Sequence, residues 1–66
     1  MERYEMNLHK NVEVPKVDMF LNDIVMVCKK HGMSIAHEDV HGAFIIMDYD
    51  KSDIDWLQNA MDGTKK

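Results

Sequence analysis

From Pro15 to His31 the apolar positions recur at helical spacing. Val17, Leu21, Ile24, Val25 and Cys28 form one stripe, with Phe20 on its shoulder. That spacing predicts an amphipathic helix of about four turns. Its ends agree with it. Pro15 stands where a first helical turn tolerates proline. Asp18 and Asp23 lie toward the positive end of the helix dipole, and Lys29, Lys30 and His31 lie at the negative end. Gly32 supplies a left-handed stop. Met19 and Met26 fall off the stripe and need cover elsewhere.

Two apolar runs follow, Met33 to Glu38 and Ala43 to Tyr49, separated by Asp39-Val40-His41-Gly42. Apolar runs around a short polar segment with glycine read as a β-hairpin. A turn centred on Val40 and His41 sets Glu38 opposite Ala43, His37 opposite Phe44 and Ile35 opposite Ile46. Directly opposed residues share a sheet face. One face then carries Met33, Ile35, His37, Phe44 and Ile46, and the other carries Ala36, Ile45, Met47 and Tyr49. Both faces are apolar, whereas one helical layer covers only one of them.

Toward the N-terminus, Tyr4, Met6, Leu8, Val12 and Val14 alternate at mostly even spacing, the period of a half-buried strand. Asn7, Lys10 and Asn11 interrupt it. Residues 1–14 are therefore either a third strand or an arm that is flexible or pairs with another chain. At the other end, Ser52-x-x-Asp55 is a shortened capping box. Ile54, Leu57 and Met61 make the stripe of a second helix, flanked by Trp56 and Ala60 and stopped at Gly63, with 64–66 as a frayed tail. The expectation is one α+β domain over residues 1–66: a small sheet, built on the hairpin, packed against two helices.

Composition sharpens this picture in one respect. The chain has 66 residues, and a domain of that size buries only about 60% of the surface its unfolded form exposes. Such domains are usually reinforced by disulfides, a metal or a partner. Cys28 is the single cysteine, so an internal disulfide is impossible. The seven methionines exceed what so small a core needs, and methionine is favoured at adaptable contact surfaces. A two-sided apolar hairpin and surplus methionine predict a homo-oligomer.

The net charge of −4, with eight basic against twelve acidic residues, argues against non-specific nucleic-acid binding, which depends on Lys and Arg. No apolar run approaches the roughly 18 residues that span a bilayer. The start of the chain lacks the basic-then-apolar order of a signal peptide. A cytoplasmic location is expected, with no membrane partner.

The densest chemistry lies in His37-Glu38-Asp39-Val40-His41. Imidazoles and carboxylates bind divalent metals, but His37 and Glu38 point to opposite faces of a strand and no standard zinc spacing is present. The run Asp48 to Asp55 begins like a calcium loop and fails as one. Asp53 stands where the turn needs glycine, and Asn59 where a bidentate glutamate belongs. Acidic residues at a helix N-terminus explain it instead. Cys28 lies on an apolar stripe, where a thiol is inert. The glycines are isolated, so no phosphate loop exists. No enzyme and no cofactor are expected.

Residues 28–46, with the segment KHG, then HED-x-HGAF-x-I, and residues 53–60, with DI-x-WL, resemble a group of short phage and prophage proteins. The resemblance covers residues 20–60 and leaves 1–14 without a counterpart. Phage proteins of this size are commonly accessory factors that bind a host protein or sequester a nucleotide-type signal of host defence. What the resemblance implies is a homo-oligomeric binding protein in the host cytoplasm. Its ligand would lie in pockets between subunits, lined by His37, Glu38, Asp39, His41, Gly42, Phe44, Tyr49 and Trp56. Aromatic faces stack bases. The alternatives are an inhibitor that docks on a host enzyme through an acidic, methionine-rich surface, and a small metal-binding protein.

Overall fold

Two separate antiparallel hairpins flank the long helix. A computed structural model describes residues 1–65 in the order β1 (Glu2–Glu5), β2 (Lys10–Glu13), α1 (Pro15–His31), β3 (Met33–Glu38), β4 (Ala43–Asp48) and α2 (Lys51–Gln58). β1 pairs with β2, and β3 with β4, as two independent two-stranded sheets. The fold is α+β, with the second hairpin against two helices.

α1 matches its sequence pattern. Leu21, Val25 and Cys28 are buried, and Val25 and Cys28 form one cluster with Ile54 of α2, against which Ile24 packs. Gly32 takes the left-handed conformation (φ 67°) that ends the helix. The second hairpin also has the expected register, with Ile35 opposite Ile46, His37 opposite Phe44 and Glu38 opposite Ala43.

The ladder fixes which edge groups are free. The Tyr49 N–H donates to the Gly32 carbonyl at 2.8 Å, one step beyond the strand. Bonded and non-bonded pairs alternate in an antiparallel ladder. Ala43, Ile45 and Met47 therefore exchange hydrogen bonds with β3. The N–H and C=O groups of Phe44 and Ile46 point away from it, along the outer edge. The Asp48 carbonyl is taken by the Ser34 hydroxyl at 2.9 Å.

Both helices lie against β3, and the backbone of β4 neighbours β3 alone. Every residue of β4 is exposed. Phe44 is 71% exposed and Ile46 62%. The face that carries Phe44 and Ile46 is thus the barer one in the single chain, while the other, with Ile45, Met47 and Tyr49 at 40–46% and Ala36 intermediate, is half-covered.

The N-terminal stretch differs from its expected form in two ways. It is a hairpin rather than a lone strand, and it does not join the β3–β4 sheet. Its inward parity is also the opposite one. Arg3 and Glu5 are buried, while Tyr4, Met6 and Leu8 are exposed. The reason is polar satisfaction. Arg3 donates to the carbonyls of Gln58 (3.1 Å) and Ala60 (2.8 Å) and pairs with Asp18 of α1. Glu5 accepts from the backbone N–H groups of Asn7 (3.0 Å) and Leu8 (2.6 Å), closing the β1–β2 turn. A buried charge is stable only when so partnered.

α2 begins one residue before the expected start and is capped by Asp50 rather than by a box on Ser52. The Asp50 carboxylate accepts from the Ser52 N–H at 2.8 Å. This confirms a capping role for the acidic run that imitates a calcium loop. Gly63 does not end the helix. Gln58 is the last helical residue, and Asn59 closes the end with its side-chain amide on the Asp55 carbonyl at 2.7 Å. Met61 is therefore off the helix and exposed, while Asp62 turns inward and bridges to Glu5. Thr64 is tied to the Asp62 carboxylate. The foreseen frayed tail thus holds a hydrogen-bonded Thr64, and its last residue, Lys66, lies outside the described residues.

Candidate functional site

The hairpin tip is organised by Glu38. Its carboxylate accepts from the N–H groups of Val40 (2.6 Å) and His41 (2.7 Å), so the side chain shapes the four-residue turn from within. These two N–H bonds, first that of His41, hold the Glu38 carboxyl below its ordinary range, against a smaller opposing effect of burial. Gly42 has φ 68°, a left-handed conformation that glycine adopts without strain.

Two imidazole–carboxylate pairs sit on this turn. His37 Nδ1 lies 2.5 Å from Asp39, and His41 Nδ1 lies 2.9 Å from Glu38. A carboxylate oxygen can only accept, so Nδ1–H donates in each pair and Nε2 remains the free ring nitrogen. Both imidazoles are exposed, His41 more than His37.

His37 also belongs to an aromatic group. Its ring lies edge-on to Phe44 at 6.4 Å and tilted against Trp56 at 6.1 Å. Cross-strand pairing brings Phe44 there. Trp56 comes from α2, which Ser34 holds against β3: the buried Ser34 hydroxyl reaches Asp53 at 2.9 Å. Asp53 and Trp56 are three residues apart, so they are neighbours on the helix surface. Trp56 is 48% exposed, so the group presents ring surface to solvent.

Seven of the eight residues singled out in the sequence thus meet at or beside the tip: His37, Glu38, Asp39, His41, Gly42, Phe44 and Trp56. Tyr49 does not. It follows the far end of β4, roughly 16 Å from Phe44 at strand rise. Among the described residues no three His, Cys, Asp or Glu side chains come together as a metal-binding group. No helix of the described residues is long and apolar enough to cross a membrane.

Alternation in the sequence missed the Arg3–Glu5–Asp62 region. A cleft of about 360 Å³ opens beside Arg3, Asp18, Asn22 and Asn59. Its charged groups mainly join the N-terminal hairpin to α1 and to the tail after α2. Arg3 and Glu5, two apart on a short strand, were the available signal: charges at one parity can mark a buried face when partners exist elsewhere.

A comparison with known proteins finds no family model, no curated protein and no solved structure that the chain matches.

Proposed function

We propose that this chain is a small, non-catalytic binding module that acts as a homo-oligomer and holds a nucleotide-type ligand at the hairpin tip. One observation carries the reading: His37, Phe44 and Trp56 form a contiguous aromatic group with exposed ring faces. Stacking on such faces contributes about 1–3 kcal/mol per base and tolerates any base. Electrostatics refines it. Two carboxylates, Glu38 and Asp39, offset the two imidazoles, so the tip offers a phosphate little net attraction. Recognition therefore runs through the base, with the free Nε2 atoms of His37 and His41 as directional contacts. The resemblance to short phage proteins supports a host-defence signal as ligand and the host cytoplasm as location.

Trp56 is the single tryptophan, which supplies the experiment. Titration with adenosine, adenosine monophosphate and a cyclic dinucleotide should quench its emission saturably. A paired His37→Ala and His41→Ala variant should weaken that binding while keeping its far-UV spectrum. Unchanged emission with all three at millimolar concentration, from folded protein, would remove the reading.

A second reading, docking on a host enzyme, is favoured by a different surface. Met19, Phe20, Met26 and Val27 of α1 are all exposed, Met26 at 67%. There, Met26→Glu would abolish inhibition of the enzyme and tip variants would leave it intact.

A further inference from the structure

We propose that β4 is the subunit interface, pairing antiparallel with β4 of a second copy to give a continuous four-stranded sheet with its two-fold axis at Ile45. The proposal rests on the homo-oligomeric part of the reading above and specifies the surface that carries it.

Four observations select this strand and this occupant. The first is bareness. The backbone of β4 neighbours β3 and neither helix, and each of its residues is exposed. The second is the edge itself. Natural edge strands are blunted by lysine, proline, a bulge or a covering element. The run Ala43-Phe44-Ile45-Ile46-Met47 contains none of these, and the first charge is Asp48 at its end. A strand apolar along its length complements itself.

The third is surface area. The chain exposes 5143 Å², whereas a folded monomer of 7.7 kDa is expected to expose about 4,300 Å². The excess, about 800 Å², matches what one partner contributes to a standard interface.

The fourth is register. Phe44 and Ile46 have their backbone groups on the outer edge, whereas Ile45 spends its own on β3. Only pairings that set an even-numbered residue against an even-numbered one can form edge hydrogen bonds. Phe44 opposite Ile46 of the partner subunit satisfies this and yields four backbone bonds across the axis. It also pairs an aromatic with a β-branched side chain, a favourable cross-strand combination. Ile45 meets Ile45 of the partner subunit, and Ala43 meets Met47 of the partner subunit. Asp48 falls opposite Gly42 of the partner subunit, away from apolar side chains.

The same register has a consequence for the tip. It sets Tyr49 of the partner subunit opposite His41. The one predicted site residue that a single chain leaves far from the tip is thereby brought beside the turn, on the Ala43–Ile45 face of the sheet rather than on the Phe44 face that carries the aromatic group.

Antiparallel parity supplies a test. Ile45 and its symmetry mate form a non-bonded pair, with Cα atoms about 4.5 Å apart, within disulfide reach. Phe44 lies diagonally from its own mate, beyond that reach. In a Cys28→Ser background, Ile45→Cys should therefore oxidise to a covalent dimer and Phe44→Cys should not. Equal cross-linking of both, or of neither, would overturn the register. Sedimentation of wild-type protein at micromolar concentration should give twice 7.7 kDa, and a monomer there would overturn the interface. Ile46→Pro removes an N–H that points away from β3, so it should yield a folded monomer. A dimer of unchanged affinity from that variant would place the interface elsewhere, for instance on α1. Tryptophan titrations with mononucleotides report the tip separately, so failure of the dimer and failure of ligand binding remain distinguishable.

Discussion

Arg3 and Asp18 form an ion pair between the first strand and α1, with the guanidinium almost wholly buried and its other amine on the carbonyls of Gln58 and Ala60. One side chain thereby ties the N-terminal hairpin to both helices. Replacing it with alanine leaves two part-buried carbonyls without this donor and Asp18 with the N-terminal ammonium alone. Hydrogen bonds to a charged group are worth about 1.5–3 kcal/mol each, against a total stability of roughly 5 kcal/mol. Arg3→Ala should unfold most of the chain at 25 °C by circular dichroism. Arg3→Lys, which keeps the charge and loses the fork, should fall between.

Ser34 is buried, and its single hydroxyl proton serves two acceptors, Asp53 and the Asp48 carbonyl. Ser34→Ala should cost about 1–2 kcal/mol. That corresponds to a fall in melting temperature of roughly 4–16 °C for a domain this small. It should also loosen α2 on β3, so Trp56 emission should shift to the red before global melting.

The tip residues should separate into two classes. Glu38 holds two turn N–H groups, so Glu38→Ala should lower the melting temperature. His41→Ala removes only a side chain at the surface and should leave stability within about 0.5 kcal/mol. Equal destabilisation by both would make the turn a structural unit with no residue spared for binding.

Acid should expose the same contacts. Asp18 is held below its usual pKa by its hydrogen bonds to the N-terminal ammonium and Arg3, and Glu38 by the turn N–H groups. A depressed folded pKa means that the unfolded chain takes up the proton first. The stabilisation is therefore complete above the unfolded values, 4.5 for Glu38 and 3.8 for Asp18, and is lost as pH falls through the lower folded ones. Denaturant midpoints should be level down to about pH 5 and then decline. In Glu38→Gln the decline should begin at lower pH.

Ile46→Asp should separate fold from assembly. Ile46 is largely solvent-exposed in the single chain, so the buried-charge penalty that its apolar neighbours suggest does not arise in the monomer. The variant should retain its far-UV spectrum and lose the dimer, as judged by sedimentation. Unfolding instead would mean that β4 is covered within one chain.

α1 and the β3–β4 hairpin were determined by local sequence. The Val17-to-Cys28 stripe, the Gly32 stop and the four-residue turn each follow from nearby residues, because helix period, capping and cross-strand pairing act over a few positions. That is also why the turn residues His37 to Gly42 and the cross-strand partner Phe44 could be placed together from sequence, whereas Trp56 reaches them only through the packing of α2 on β3. Tertiary structure decided the rest. The identity of the α2 cap, Asp50 rather than Ser52, turned on backbone geometry that Ser52-x-x-Asp55 does not encode. In the N-terminal hairpin the apolar alternation of Tyr4, Met6 and Leu8 pointed to the wrong face. Arg3 and Glu5 are inside because their partners, the Gln58 and Ala60 carbonyls, Asp18 and the Asn7–Leu8 turn, include groups more than fifty residues away. A periodicity weighs the transfer of each side chain alone. Burial of a charge depends on donors and acceptors that only the folded chain assembles.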